Sequence, residues 1–461
     1  MKARFPLAVL GLALSGFPHL FAASNSFTTL TINPPVTNNN SLNFGTSVAA
    51  LGGDRLLVFA LGAATTYLFN TNGTLLTSFP GVWAAMSVLG NDRVVCGSIG
   101  TSFGGFNSAG AVHLFDTNGT LVNTISNPAP FHFDYFGWSV AAVGNERVIV
   151  GALQDDTGAT DTGAAYLFST NGTLLTTFTN PTPANTDYFG WRVAALGNDR
   201  VLIGVPNDDL GAGDAGVAYL YSTSGALLYT FTNPTPANTG QFGYSIATLG
   251  NDKVLIAAPR GDIGAIDAGQ VYLFTTNGIL ITSFTNPTPA TSDYFGWDVA
   301  AMGNDRVLIS TYLDDTGATD TGAAYLFSTN GTLLNTFTNP AAKDNGQFGY
   351  SVAGVGENRV LVGARYNGGT QFTTPGLAYL FTLETPVGPA LSVQRVAGGN
   401  VRVFWPMPAD GFLLDETSAL ASSPAAISWT LVPVASYQTN ATHISVTSTP
   451  AGNKFYRLRK P

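Results

Sequence analysis

The chain has a single cysteine, Cys96, in 461 residues. One thiol excludes an internal disulfide framework and any cysteine-based zinc site. Within the apolar run Arg93-Val-Val-Cys-Gly97 it reads as a small buried core residue. Charge is scarce as well: Asp, Glu, Lys and Arg make up 10% of the residues, against about 25% in ordinary domains. So few lysines and glutamates leave little material for long solvent-facing helices. There is no basic excess either, since 19 basic against 28 acidic residues give a net charge of −9. That balance argues against a nucleic-acid backbone or an anionic membrane surface as the main partner. Beyond the first residues no apolar run is long enough to span a membrane.

What is plentiful is glycine, with 53 residues, and hydrophobic types at 45%, too apolar for a disordered chain. At roughly 100 to 200 residues per domain the length suits two to four domains or one large repetitive one. The N-terminus carries Lys2 and Arg4, an apolar run from Phe5 to Phe17, and the small residues Ala22 and Ala23. This pattern predicts a secretory signal over residues 1–23 and an exported protein, secreted or held in the cell envelope.

The segment Tyr135-Phe-Gly-Trp-Ser-Val-Ala-Ala-Val-Gly-Asn145 returns as Tyr188-Phe-Gly-Trp-Arg-Val-Ala-Ala-Leu-Gly-Asn198 and as Tyr294-Phe-Gly-Trp-Asp-Val-Ala-Ala-Met-Gly-Asn304. The Phe of Phe-Gly recurs at Phe44, Phe136, Phe189, Phe242, Phe295 and Phe348, the last five at intervals of 53 residues, and Val82-Trp83 takes the missing place. The chain is therefore a repeat protein of seven units over residues 24–386. Each unit holds four short runs of strand character, for example Trp191 to Leu196, Val201 to Val205, Ala218 to Tyr221 and Ala226 to Phe231. Gly-Asn-Asp and Thr-Asn-Gly turns make tight hairpins of the first and last pairs. Seven units of four antiparallel strands describe an all-β, seven-bladed β-propeller. A β-solenoid is the competitor, but it needs no two hairpins per unit. The seventh unit has only three strands, ending at Leu377-Ala-Tyr-Leu-Phe381, while Phe27-Thr-Thr-Leu-Thr-Ile-Asn-Pro34 matches the fourth-strand pattern. An N-terminal strand is thus expected to close the ring and remove an open edge. Residues 387–461 break the period, and alternation in Val401-Arg-Val-Phe-Trp405 and His443-Ile-Ser-Val-Thr447 predicts a small β-sandwich-like C-terminal domain with a basic, solvated final strand.

With Phe-Gly, a following strand ending near Gly204-Val-Pro206 or Ala257-Ala-Pro259, and then Gly-x-x-Tyr-Leu-Phe, the unit resembles the FG-GAP repeat of integrin α-subunit propellers, in its bacterial variant. The resemblance covers about 340 residues. It implies an extracellular binding platform and, in several members, calcium in blade loops. One departure bears on that: in integrins the calcium loop joins the first two strands, and here that place holds short turns such as Gly144-Asn-Glu-Arg147 and Gly197-Asn-Asp-Arg200. Such turns cannot wrap an ion that takes six to eight oxygens. The C-terminal residues are loosely similar to fibronectin-type modules of exported bacterial proteins.

A different acidic loop recurs between the second and third strands. It supplies Asp155, Asp156 and Asp161; Asp208, Asp209 and Asp214; Asp262 and Asp267; and Asp314, Asp315 and Asp320. Carboxylates around a glycine turn can collect the oxygen ligands of calcium. They can equally cap their own backbone turn, and both readings stand. Strand alternation puts these loops and the inter-blade connections on one face. That face also holds Asp134, Asp187, Asp293 and Asp344 against the basic Arg260, Lys343 and Arg365, so it is expected to concentrate cations.

Other motifs dissolve on inspection. Gly211-Ala-Gly-Asp-Ala-Gly216 has the spacing of a dinucleotide fingerprint but runs into a strand, where the chemistry needs a helix N-terminus. Asn72, Asn118, Asn171 and Asn330 begin glycosylation-type triplets that also make good hairpin turns. The aromatics after Phe-Gly, Trp138, Trp191, Tyr244, Trp297 and Tyr350, suit packing between blades better than sugar stacking. After the signal only His113, His132 and His443 remain, none near a nucleophile turn, and no carboxylate pair stands apart from its repeat-equivalents. The expectation is a monomeric, non-catalytic binding or adhesion platform on the bacterial cell surface, calcium-assisted, whose ligand is an extracellular or envelope protein or a glycan. A carbohydrate-active propeller enzyme and a structural envelope component are the alternatives. Arg260-Gly261 and Arg365-Tyr-Asn-Gly-Gly369, in blades five and seven, break the acidic pattern and mark where an asymmetric ligand site would lie.

Overall fold

A computed structural model of the chain describes residues 27–35, 42–81, 85–341, 344–366, 375–383, 391–396, 400–406, 413–418, 429–439, 443–448 and 454–459. The expected signal over residues 1–23, Val82-Trp83, Lys343 and Asn367 to Gly369 lie outside them. Phe27–Leu383 form one compact unit, and the described residues from Leu391 on belong to a second. No helix among the described residues is long and apolar enough to cross a membrane.

The first unit consists of seven four-stranded antiparallel sheets. Blade three shows the pattern: Phe136–Val143, Arg147–Ala152, Ala164–Ser169 and Leu174–Thr179, paired in sequence order. Its second and third strands are apolar runs, Arg-Val-Ile-Val-Gly-Ala and Ala-Ala-Tyr-Leu-Phe-Ser, buried throughout except at one end. Strands of this kind are covered on both faces. The outermost strand, Leu-Leu-Thr-Thr-Phe-Thr, buries only its phenylalanine fully, as an edge strand should. In blade seven, Phe348–Val355, Arg359–Ala364 and Leu377–Leu383 are completed by Phe27–Ile32, which pairs antiparallel with Phe27 opposite Leu383 and Ile32 opposite Ala378. The N-terminal strand closes the ring as the sequence led us to expect.

The core lies between blades. Val143, Ile149 and Phe178 of blade three pack with Phe189, Ile203 and Tyr219 of blade four, and equivalent clusters join every neighbouring pair, including blade seven to blade one through Leu380, Phe44 and Val58. Cys96 is fully buried in the cluster between blades one and two, and burial holds its thiol well above the usual range.

The Phe-Gly motif is the stitch between blades. Phe189 is fully buried, and its N–H donates to the carbonyl of Thr162, just ahead of the third strand of blade three, at 2.7 Å. The same bond runs from Phe242 to Ala215 at 2.8 Å, from Phe348 to Thr321 at 2.9 Å, and from Phe44 to Pro375 at 2.9 Å across the closure. The next residue, Gly190, has φ +87°, and a Cβ there would lie 2.7 Å from the carbonyl oxygen of Ala164. On the opposite face a second set of links repeats. In five blades the guanidinium opening the second strand donates to the hairpin of the next blade: Arg55 to the Asn91 carbonyl at 2.6 Å, Arg93 to Asn145 at 2.8 Å, Arg147 to Asn198, Arg200 to Asn251 at 2.8 Å, and Arg306 to Glu357 at 2.7 Å. The Gly-Asn turns that replace the integrin calcium loop therefore serve as latches.

The second unit has a four-stranded sheet of Ser392–Arg395, Val401–Pro406, His443–Ser448 and Gln438–Thr439, and a three-stranded sheet of Thr430–Leu431, Leu413–Thr417 and Phe455–Arg459. Trp405, Val403, Leu414 and Val446 form its core. Two basic residues at the C-terminal strand are paired within this unit: Lys454 with Glu416, and Arg457 with Asp415 at 3.1 Å while covering the Trp429 ring at 4.4 Å.

The stitch predicts a position-specific cost for a methyl group. Gly190→Ala meets both a positive φ and a backbone oxygen, and should lose about 2 kcal/mol or more, read as a lower urea midpoint. Gly213→Ala, where the nearest atom is 3.8 Å away and φ is ordinary, should stay within about 0.5 kcal/mol of the parent. Equal midpoints for the two variants would remove the stitch from the account.

Candidate ligand site on the long-loop face

The recurring acidic loops are ordered by their own carboxylates. Asp155 is buried; its Oδ1 accepts the Thr157 N–H at 2.9 Å, and its Oδ2 accepts the Tyr166 hydroxyl at 2.6 Å. Asp208 does the same for Leu210 N–H at 2.9 Å and the Tyr219 hydroxyl at 3.2 Å, and Asp314 for Thr316 N–H and the Tyr325 hydroxyl, both at 2.8 Å. The second carboxylate of each loop, on Asp156, Asp209, Asp262 and Asp315, accepts the N–H of Asp161, Asp214, Asp267 and Asp320 respectively, at 2.8 to 2.9 Å. Those four acceptor-held residues stand at φ 52°, 51°, 55° and 51°, the left-handed region that aspartate tolerates better than most. Blade five has Gly261 where the others bury an aspartate, and there Gln270 Oε1 receives the Tyr272 hydroxyl at 2.6 Å. Among the described residues no three His, Cys, Asp or Glu side chains are grouped to hold a metal ion. The loop carboxylates thus cap their own turns.

Three further aspartates of this face lie inside the inter-blade connections. Asp134 Oδ2 accepts Asn127 Nδ2–H at 2.7 Å and Phe131 N–H at 2.6 Å. Asp187 and Asp293 repeat the arrangement with Asn180 and Ala184, and with Asn286 and Ala290. All three are buried. Burial, reinforced by neighbouring loop carboxylates and opposed by the backbone N–H, raises each pKa to about 6. The exposed acidity of the face is accordingly thinner than the sequence suggests, because Asp134, Asp155, Asp187, Asp208, Asp293 and Asp314 all face inward.

The side chain after Phe-Gly has a double role. Trp138, Trp191, Tyr244, Trp297 and Tyr350 meet ring to ring around the innermost strands, at 5.2, 5.2, 5.0 and 5.6 Å between centroids. They pack blade on blade, as expected, yet each is only half-buried, so together they form an aromatic collar at the channel mouth. The following residue is Ser139, Arg192, Ser245, Asp298 or Ser351 in successive blades. Ser139 Oγ accepts Val193 N–H at 2.9 Å, Ser245 Oγ accepts Val299 N–H at 3.2 Å, and Ser351 Oγ accepts Val48 N–H at 3.1 Å, each a bond to the next blade. Asp298 takes over the serine's part with Val352 N–H at 2.9 Å and also accepts Val299 N–H at 3.1 Å. Burial raises its pKa, and the positive charge of Arg192 opposes the rise.

Blades five to seven add groups to the collar. Arg260 and Arg365, the two breaks in the acidic pattern, come to one tyrosine cluster: Arg260 lies over Tyr294 at 5.8 Å and Arg365 over Tyr350 at 4.8 Å. Tyr312 stands between, 4.3 Å from Trp297 and 5.6 Å from Tyr350. Sequence reasoning passed over Arg192, Asp298 and Tyr312. The detectable signal was their departure from residues that are otherwise serine, or proline and leucine, at the same repeat position. A second departure went unread: Phe131-His-Phe133 replaces Ala184-Asn-Thr186, and with Phe103 and Phe106 it forms an exposed aromatic cluster on the same face, Phe103, Phe131 and Phe133 being 48%, 51% and 49% exposed.

A pH dependence follows from the three buried connection aspartates. Their folded pKa of about 6 lies above the unfolded value of about 3.9, so the folded state binds more protons in that window. Stability should therefore rise as the pH falls from 7 through 6 towards 4, and fall on the way back. The melting temperature of the parent should show this rise, and the triple variant Asp134→Asn, Asp187→Asn, Asp293→Asn should lose it. Parallel curves for the two proteins would place the titration elsewhere.

Comparison with known proteins agrees with this architecture. Residues 132–168, 176–221 and 282–327 match the FG-GAP repeat. A search of curated proteins finds no match. Among solved structures, a streptogramin B lyase is similar with a TM-score of 0.55 and 11% identity over 78% of this chain and 98% of that one. The virginiamycin B lyase of Staphylococcus aureus, solved as a catalytically inactive variant with quinupristin, gives 0.53 and 10% over 78% and 100%. Likeness at that identity concerns the fold alone. By repeat and by fold, Phe27–Leu383 are a seven-bladed β-propeller that carries FG-GAP repeats.

Proposed function

We propose that the protein is an exported, non-catalytic binding or adhesion platform that holds a glycan at the mouth of the channel on the long-loop face. The observation that carries this is the aromatic arc of Trp138, Trp191, Tyr244, Trp297 and Tyr350, half-buried and in ring-to-ring contact from blade three to blade seven. Ring faces with a few fixed polar groups suit the apolar face of a pyranose. The exposed Phe103, Phe131 and Phe133 give the same face a further apolar contact area. The non-catalytic part rests on Asp298. Both its oxygens hold backbone N–H groups, and glycoside cleavage needs a pair of free carboxyls. His132, the one histidine of this face, is tied by its Nδ1 to Asn107 N–H at 3.1 Å. Export rests on the basic and apolar start of the sequence.

The test is a glycan-binding screen on the full chain, with millimolar calcium and with chelator. The parent should bind at least one glycan class. Trp138→Ala should weaken that binding at least tenfold, and Asp305→Ala, on the opposite hairpin face, should not. Affinity unchanged by Trp138→Ala would move the ligand away from the collar. Binding strengthened by calcium, with the gain lost in Asp156→Ala plus Asp315→Ala, would bring the loop carboxylates into the site; equal affinity in chelator would leave them as turn caps.

A further inference from the structure

Resting on the collar as ligand seat, we infer that the ligand is acidic, a carboxylate-bearing pyranose chain whose carboxylates are met by Arg260 and Arg365. The two guanidiniums bracket a bridge of three tyrosines. Arg260 Cζ lies 5.8 Å from the Tyr294 ring; Tyr294 stacks on Tyr312 with centroids 6.0 Å apart and planes 13° from parallel; Tyr312 meets Tyr350 at 5.6 Å; and Arg365 Cζ lies 4.8 Å from Tyr350. Trp297 backs this bridge at 4.3 Å from Tyr312.

Charge balance separates these two arginines from most of the others. Arg55, Arg93, Arg200, Lys253 and Arg306 on the hairpin face each stand within 3.6 Å of a carboxylate, and Arg192 is opposed by Asp298. Arg260 and Arg365 have no carboxylate at ion-pair distance among the described residues. Arg365 Nε is buried with no acceptor. A guanidinium lying over a tyrosine keeps its cation–π attraction, and its two terminal nitrogens can still take a carboxylate in two parallel bonds. Two unmatched positive charges beside aromatic faces therefore select a ring that carries its own negative charge. The aspartate loops around the mouth act in the opposite sense and are screened within about 8 to 10 Å at physiological salt, so the anion gains only where it touches the arginines.

The experiment compares tetragalacturonate with its fully methyl-esterified, uncharged counterpart by calorimetry on the full chain. The acid should bind at least tenfold more tightly than the ester. Arg260→Gln, at an exposed position, should bring that ratio close to one without changing the affinity for the ester, and Arg365→Gln should do the same, with Arg365→Lys intermediate because it keeps charge but loses the fork. Equal affinity of the parent for acid and ester, or an acid preference that survives both glutamine variants, overturns the inference and leaves the glycan platform standing. Binding of neither sugar, together with a blank glycan screen, overturns both.

Discussion

The closest backbone approach between blades involves two glycines. A Cβ on Gly151, in the second strand of blade three, would fall 2.1 Å from the carbonyl oxygen of Gly190, which opens the first strand of blade four. The same approach joins Gly204 to Gly243 at 2.1 Å and, across the closure, Gly363 to Gly45 at 2.0 Å. Because the backbones come this near, the preceding phenylalanine reaches the neighbour's carbonyl and the following side chain is delivered to the axis. Stitch, interface core and collar are thus consequences of one steric requirement, which explains why Phe-Gly and its next residue recur as a block. Where Ala257 and Ser310 replace the second-strand glycine, Cβ contacts of 2.9 and 3.2 Å with the virtual methyls of Gly296 and Gly349 show the same approach sustained by small residues.

Most of the fold could be read from the sequence, because period, hairpin turns and apolar runs are local signals. The ring closure was legible for the same reason: a missing fourth strand at one end and a matching pattern at the other. The site was less legible, and the acidic loops show why. Asp155 and Asp156 are neighbours in sequence with the same chemistry, yet one is buried on a tyrosine hydroxyl and the other caps an exposed turn. Burial of that kind depends on Tyr166, eleven residues away on another strand. The pairing becomes visible only in blade five, where the aspartate is lost to Gly261 and Gln270 restores an acceptor for Tyr272. The collar was half read, since packing between blades and lining a channel are compatible for a ring that is only half-buried.

A symmetric ring offers seven equivalent surfaces, so a single ligand has to be held by whatever breaks the repeat. Three of the breaks lie together. Tyr312 and Arg365 occupy the repeat position held by Leu153, Pro206 and Pro259 in blades three to five, and Arg260 the position of Gln154, Asn207 and Leu313. All three follow the second strand at the start of the long loop, outside the stitch and the latch. A change there leaves both in place, whereas a change at Phe189 or Gly190 would open an interface. Three such changes nevertheless meet at one tyrosine bridge with Trp297 of the collar behind it, so the departures from the repeat and the two unmatched guanidiniums share one aromatic surface.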